Sequence, residues 1–454
     1  MSDKNNSFGI FSDLLFPKIF QTFRIARHHT KLMIAFAAFV VIFMAGSILD
    51  LNKTVVASPG SQPLVTELQI YLTRPSQLQS FIQANKEKGP RTGVFSVLWL
   101  FAHERFHIAL ESLFAFNLPA AAASVADYCK AVGWAFRYHT VYCIILSAIK
   151  LAVIAIAGGA ICRIAALQFA RGEKPGLTEA LRFSTQKFFS FLAAPLLPVA
   201  VIFFFAVCVA LVGLFGFIPY VGELLIGFPI PIPMLLVLLA GFIMALLVIG
   251  TAAGYNLMFP VIAYENSDCF EAVEKSFTYV FRRPWHMVFY YVFALFYGAV
   301  CYVFVRFFAF LLVFCAHQAL PLGVRFVYWL PARICSLFGV EFAPAGRTVE
   351  KLLAIWPQPT FLNLLGASVP AANWSQAIAA FVIKLCLFFI AALVMAFVVS
   401  FYFSANTIIY SLLRKGVDGV ALENVHTELE EAESPPANSK AEMSSTQSQS
   451  PPSD

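Results

Sequence analysis

The sequence predicts an all-α polytopic helical membrane protein with about six transmembrane helices, interfacial amphipathic helices and an internal two-span repeat. Three observations predict it. Hydrophobic residues make up 60% of the chain and charged residues 12%, with 49 Phe and a mean hydropathy of +0.77. Soluble chains carry about a quarter charged residues, so a water-soluble fold of 454 residues would lack the polar surface to cover its core. Apolar runs of about 20 residues, the length needed to cross hydrocarbon, recur along the chain. Finally, Glu179-Ala180-Leu181-Arg182-Phe183-Ser184 returns as Glu271-Ala272-Val273-Glu274-Lys275-Ser276, each copy between two apolar runs and followed by Pro195 or Pro284. A helix–surface helix–helix unit used twice is the footprint of a duplicated membrane module.

The elements follow in order. Residues 8–29 read as an interfacial helix, with Phe8, Phe11, Leu14, Leu15, Ile19 and Phe23 at helical spacing and Lys18, Arg24 and Arg27 toward its end. The first span is about 32–49, with no small-residue cleavage site behind it, so it reads as an anchor and not a signal peptide. Residues 50–93, with Pro59-Gly60 and Arg74-Pro75, read as an extramembrane loop holding one short helix. Residues 94–117 form an apolar helix with a charged stripe, and 118–138 connect it onward. Five further spans fit at about 140–162, 189–216, 234–262, 286–315 and 378–410.

Phe228-Pro229-Ile230-Pro231-Ile232-Pro233 breaks any helix between the third and fourth spans. Residues 316–377, with Pro321, Pro331, Pro344, Pro357 and Pro359, read as short amphipathic pieces on the membrane surface. After about 425 the chain turns to Glu, Ser, Pro and Gln, the composition of a disordered tail. Lys and Arg concentrate in 1–31, 163–188, 264–285 and 412–454, which places both termini in the cytoplasm of a bacterial inner membrane. The domain plan is a cytoplasmic 1–31, a span at 32–49, an extracytoplasmic 50–138, a five-span 139–425 and a tail at 426–454.

Several function classes are disfavoured. The net charge of +6 is small for the length, and no basic run interleaves with aromatics on a polar segment, which argues against nucleic acid. The nine cysteines form no C-x-x-C pair and mostly lie in apolar runs, where cysteine packs as a small hydrophobe. The reading therefore expects no cofactor and no metal. Its partners are the lipid bilayer, anionic lipids included, and other membrane proteins.

One motif carries chemistry on its face. His103-Glu104-Arg105-Phe106-His107 is an H-E-x-x-H, which sets two imidazoles one turn apart with a glutamate able to activate zinc-bound water. Glu111 lies a further turn on. The same spacing arises on any interfacial helix with one polar stripe, and no later His or Asp in a span completes the site. The motif is therefore read as a surface stripe with its histidines toward water, and the chain as a non-enzyme.

Lys150, Arg306 and Lys384 fall inside spans, where a charge is costly and functional by default. No Asp or Glu falls within a predicted span to pair with them. Lys384 and Arg306 lie close enough to a span end to snorkel. Lys150 is nearest mid-depth and the stronger candidate. Asn256, beside Tyr255 in the fourth span, reads as an interhelical hydrogen bond or part of a polar lining. Glu179, Ser184, Glu271 and Ser276 of the repeat read as caps of the surface helices. Arg282-Arg283-Pro284-Trp285 suits anionic headgroups.

Three segments together resemble a known family. They are Gly159-Ala160-Ile161-Cys162-Arg163-Ile164-Ala165-Ala166-Leu167-Gln168, continuing through Leu177–Phe183 to Ala194–Pro198, then Ser276-Phe277-Thr278-Tyr279-Val280-Phe281-Arg282-Arg283-Pro284, and Tyr402–Arg414 with Val417-Asp418-Gly419. Their order and content resemble uncharacterised multi-pass inner-membrane proteins of planctomycetes and related bacteria, over roughly 30–50 and 140–425. More distantly, the E-A-x-x-x-S helix is similar to the membrane domain attached to some glycerophosphodiester phosphodiesterases, without their soluble barrel. The resemblance implies a helical membrane fold and no particular activity. Function then lies between a non-enzymatic scaffold or lipid- or partner-binding component and a transporter or channel for a small anionic solute.

Overall fold

The computed structural model describes residues 16–58, 65–86, 89–215, 232–337, 355–356, 358–365 and 373–425. The described chain is nearly all helix, and six of its helices are long and apolar enough to cross a membrane. These are α2 (His29–Leu49), α7 (Thr140–Ala170), α9 (Phe188–Phe215), α10 (Ile232–Glu265), α12 (Pro284–Leu337) and α13 (Trp374–Asp418). Between them lie α1 (Gln21–Ala26), α3 (Glu67–Thr73), α4 (Leu78–Asn85), α5 (Val94–Phe114), α6 (Leu118–Tyr138), α8 (Leu177–Gln186) and α11 (Cys269–Arg282). Both repeat copies are indeed short amphipathic helices, α8 and α11. The chain divides into two compact units, the first of Met1–Ile161, Gly176–Leu181 and Val288–Ala405, the second of the remainder.

In the first unit α12 and α13 run antiparallel. Gly298 lies against Phe401, where a Cβ would come within 2.8 Å of the ring and force it to shift. Further along, Tyr302 and Ala309 share a buried cluster with Val394 and Leu364. Helix α2 packs on α13 through Phe36–Phe389 and Phe43–Phe388. Lys31, wholly buried, reaches the Ser404 hydroxyl at 3.5 Å.

Asp50 ends α2 and begins the next layer. Its carboxylate accepts the Phe95 and Ser96 backbone N–H groups at 2.9 and 2.8 Å, the Ser96 hydroxyl at 2.7 Å and the Tyr142 hydroxyl at 2.6 Å. An anionic acceptor over free helix N–H groups satisfies both the hydrogen bonds and the helix dipole. Gly93 makes room for it, since a Cβ there would fall 2.0 Å from the Asp50 carboxyl carbon.

Residues 50–93 hold more order than one short helix. The two-residue strands β1 (Val55–Val56) and β2 (Arg91–Thr92) pair antiparallel with Val55 opposite Thr92, and α3 and α4 lie between them. Glu67 is buried, accepts the Val56 N–H at 2.7 Å and lies 3.9 Å from His139.

The segment 118–138, expected as a connector, is the 21-residue helix α6. Asn117 caps it through the Ala120 N–H, and Trp134 and Ala135 bury against Val97 and Phe101 of α5. Asp127, Lys130 and Arg137 lower its hydropathy, while its alanines keep its helix propensity high. Helices α5 and α6 form a hairpin whose turn holds Phe116 at φ 55°.

Nor does α5 stand apart from the span helices. Along its length Trp99 meets Phe39, Phe106 and His107 meet Tyr302, and Phe114 meets Phe296. It lies lengthwise beside α2 and α12.

A second correction concerns 316–377. Helix α12 passes through Pro321 and Pro331 to Leu337, where short surface pieces were expected. Pro195, Pro198 and Pro260 likewise sit inside α9 and α10. In long apolar helices neighbouring groups and local adjustment re-satisfy the freed carbonyls, so proline is a poor terminator there. The proposed break at 228–231, residues 8–15 of the interfacial helix and the tail beyond 425 lie outside the described residues.

In the second unit α9 packs on α10 through Phe191 and Phe259. Helix α11 lies across α10, where Gly250 and Gly254 leave room for Phe277, Ser276 and Val280.

Candidate functional site

Helix α5 turns one face toward α12 of the first unit, and a cavity of ≈ 320 Å³ opens there. Most of its wall is apolar, including Trp99, Phe106, Val125 of α6 and Met395 of α13. The polar side chains that line it are His103, His107, Arg105, Ser124, Tyr128, Tyr302 and Arg306. Small ligand sites share this build, a greasy cleft with a few placed polar groups.

The H-E-x-x-H histidines thus face a cavity, half-buried, and not open water. Their ring centroids are 4.4 Å apart. His107 Nδ1 lies 2.8 Å from the His103 carbonyl oxygen, which only accepts, so Nδ1 carries the proton. Nε2 then accepts from the Tyr302 hydroxyl at 3.4 Å. Burial, the neighbouring His107 and Arg306 push the His103 imidazole down to about 4. Burial, with Arg306, also lowers His107, against the raising effect of its carbonyl bond. Both rings are neutral at pH 7.

Glu104 is exposed and sits 3.9 Å from Arg105, whose other nitrogen reaches Asp127 at 3.6 Å. Among the described residues no three His, Cys, Asp or Glu side chains converge as a metal site.

Arg306 does not snorkel. Its residue is 5% exposed, and its guanidinium donates to the Phe361 and Leu362 carbonyls at 3.1 and 2.9 Å. Carbonyl dipoles solvate the charge without cancelling it, and among the described residues no carboxylate forms an ion pair with it. Lys150 lies on the same unit's α7, half-buried and away from the cavity wall. Lys384 is exposed on the flank of α13.

A second polar cluster lies in the other unit. Helix α10 runs three residues further than the span predicted from sequence and ends on Glu265, whose side chain is 6% exposed. Lys275 of α11 is bonded to it, Arg414 Nε lies 3.2 Å away, and the Tyr410 hydroxyl donates to it at 2.5 Å. Burial alone would lower the Lys275 ammonium, but Glu265 and Glu271 together raise it above the usual lysine value. Tyr279 of α11 donates to Asp418, and burial with that carboxylate raises its phenol. Arg163 donates to the Ala263 carbonyl at 2.8 Å and Lys187 to the Asn266 carbonyl at 2.8 Å. The cluster ties the end of α10 to α11 and to the last turns of α13.

The repeat residues do not cap. Asp268 caps α11 by accepting the Glu271 N–H at 3.0 Å. Ser276 is buried mid-helix and donates back to the Ala272 carbonyl at 2.6 Å, Ser184 is likewise buried, and Glu179 is exposed. Glu271 instead pairs with Lys275 at 2.6 Å, one turn on. The small polar side chain of Ser276 serves close packing, facing Gly254. Asn256 is half-buried on α10 beside an exposed Tyr255, and Arg282 and Arg283 are both exposed.

Sequence reading missed Glu265, Lys31, Tyr410 and Arg414. Tyr410 and Arg414 share a face at i, i+4 spacing and Lys31 opens an apolar run, so the signals were present. Glu265 sat just past the assumed end of its span.

Fold and sites together define a class: an all-α polytopic helical protein with, among the described residues, six helices long and apolar enough to span a membrane. Compared with family models, curated proteins and solved structures, the chain matches none.

Proposed function

We propose that this chain is a non-enzymatic component of a bacterial inner membrane that binds lipid, with both termini in the cytoplasm and α8 and α11 at the cytoplasmic face. The observation that carries the reading is the two-sidedness of α11. One face buries Ala272, Ser276, Tyr279 and Val280, while Phe270 and Phe281 stand exposed, followed by exposed Arg282, Arg283 and Trp285. Aromatic rings beside guanidinium groups at the end of an apolar span suit a layer of anionic headgroups.

Each cation near such a surface contributes about 1 kcal/mol. R282Q/R283Q should therefore weaken retention of phosphatidylglycerol by about tenfold or more when the purified protein is washed with zwitterionic detergent. Equal retention by parent and variant would defeat the reading.

The same reading gives His103 and His107 no catalytic zinc, because among the described residues no third ligand converges on them and Arg105 sets a positive charge inside the motif. Metal analysis of the parent beside H103A/H107A should find no stoichiometric zinc in either. One equivalent in the parent, absent from the variant, would bring back a membrane metalloprotease.

A carrier or channel for a small anion is the competing reading, supported by the buried charge of Arg306 and by Lys150 inside α7. Anion flux into proteoliposomes, abolished by K150Q or R306Q, would favour it.

A further inference from the structure

We propose that the cavity between α5, α6, α12 and α13 of the first unit binds a single acyl chain ending in an anionic head, the head against Arg306 and His103 and the chain along Trp99, Phe106, Val125 and Met395. The inference stands on the first unit alone and does not rest on the Arg282–Arg283 rim.

Charge chooses the head. Arg105 is already paired with Glu104 and Asp127. Among the described residues Arg306 meets two carbonyl dipoles, the Phe361 ring, Tyr302 and the two neutral histidines, and no carboxylate, which leaves a full positive charge beside the cavity. A charge held inside an apolar helix attracts an opposite partner or marks a site. The His103 ring makes no hydrogen bond to the described residues, and when neutral it still offers one N–H toward the cavity it lines. A carboxylate or phosphate accepts from both groups.

Shape and lining choose the rest. A cavity of ≈ 320 Å³ sits at the lower end of ligand-site sizes, enough for part of one chain but not a folded diacyl lipid. Its walls are otherwise overwhelmingly apolar, so beyond Arg306 and His103 a hydrated small anion finds little to replace its water. Val125 and Phe106 on its wall are 58% and 44% exposed, so the cavity can be reached past apolar side chains, as an acyl chain requires. The arrangement is that of an amphiphile site and not a pore.

Trp99 on the cavity wall makes the site readable by fluorescence. The full chain, purified in a non-ionic detergent, is titrated at pH 7.5 with 9,10-dibromostearate, with 9,10-dibromostearyl alcohol as a neutral chain and with inorganic phosphate as a free anion. Dibromostearate should quench saturably, and W99F should lose that component. The alcohol should give only the linear quenching of micelle partitioning, and phosphate should not compete. R306Q should raise the half-saturation at least tenfold, and Ala102→Phe, which fills the cavity without touching a charge, should abolish it.

If R306Q does not fold, the Ala102→Phe variant decides. Parent-like half-saturation in the variants, or equal saturable quenching by the alcohol, overturns the proposal. Displacement by millimolar phosphate also overturns it and assigns the site to a free anion.

Discussion

Glu265 shows what one carboxylate does at the end of an apolar helix. Its side chain is 6% exposed and meets Lys275, Arg414 and Tyr410. Removing one partner of a buried pair costs about 3–5 kcal/mol, because the other charge stays behind in low dielectric. Lys275 is 34% exposed and relaxes toward water, so E265Q should destabilise the protein by about 2–4 kcal/mol, read as thermal unfolding in detergent. E265Q/K275M should recover part of the loss. An additive double variant would show that the two side chains do not interact.

His103 carries a second prediction at this scale. Its folded value of about 4 lies below the ordinary 6.5, so the unfolded chain binds the extra proton first. Stability is therefore full above pH 6.5 and falls as the pH drops toward 4. The residue is only partly buried, and that holds the effect to about 1 kcal/mol. H103Q should flatten the pH dependence of the melting temperature across that window, and an unchanged slope would place the titration elsewhere.

At the scale of elements, the join between α2 and α5 rests on Asp50. Two backbone N–H groups and two hydroxyls converge on that carboxylate. Losing a helix cap costs about 1–2 kcal/mol, and D50A should cost at least that. The loss is local, so hydrogen exchange should quicken in the first turn of α5 while the middle of α13 stays protected. Uniform deprotection would mean that Asp50 holds more than the cap. Helix α6 teaches a different lesson at this scale. Its alanines and single charges look like a linker by hydropathy, yet Asn117, Pro119 and the Ala-rich start are the signature of a helix N-terminus.

For the whole molecule, the two repeat helices should share one side of the membrane. Reporter fusions after Asn85 should read outside, and fusions at Gly172 and Asn266 inside. Opposite signals at Gly172 and Asn266 would undo the repeat argument, since α8 and α11 would then face different compartments. The two copies are not equivalent in detail, however. Lys275 of α11 meets Glu265, while Phe183 holds the corresponding position in α8.

Sequence alone determined the class. Apolar runs, counted by length, located all six long helices, because crossing hydrocarbon demands a continuous stretch that little else in a protein demands. The repeat motif located α8 and α11 for the same kind of reason, since a strongly two-sided decapeptide has one helical solution.

Only the tertiary structure decided where the charges go. Arg306 lies 22 residues into α12, and nothing in its flanks announces the Phe361 and Leu362 carbonyls that receive it. His103 and His107 have the spacing of a metal motif and of a polar stripe alike. Their surroundings came from α12, about 200 positions away in sequence. Periodicity is a local property that a chain carries within itself. The partner of a buried charge is set by packing between distant helices, where many registers satisfy the same hydrophobic pattern and one is occupied.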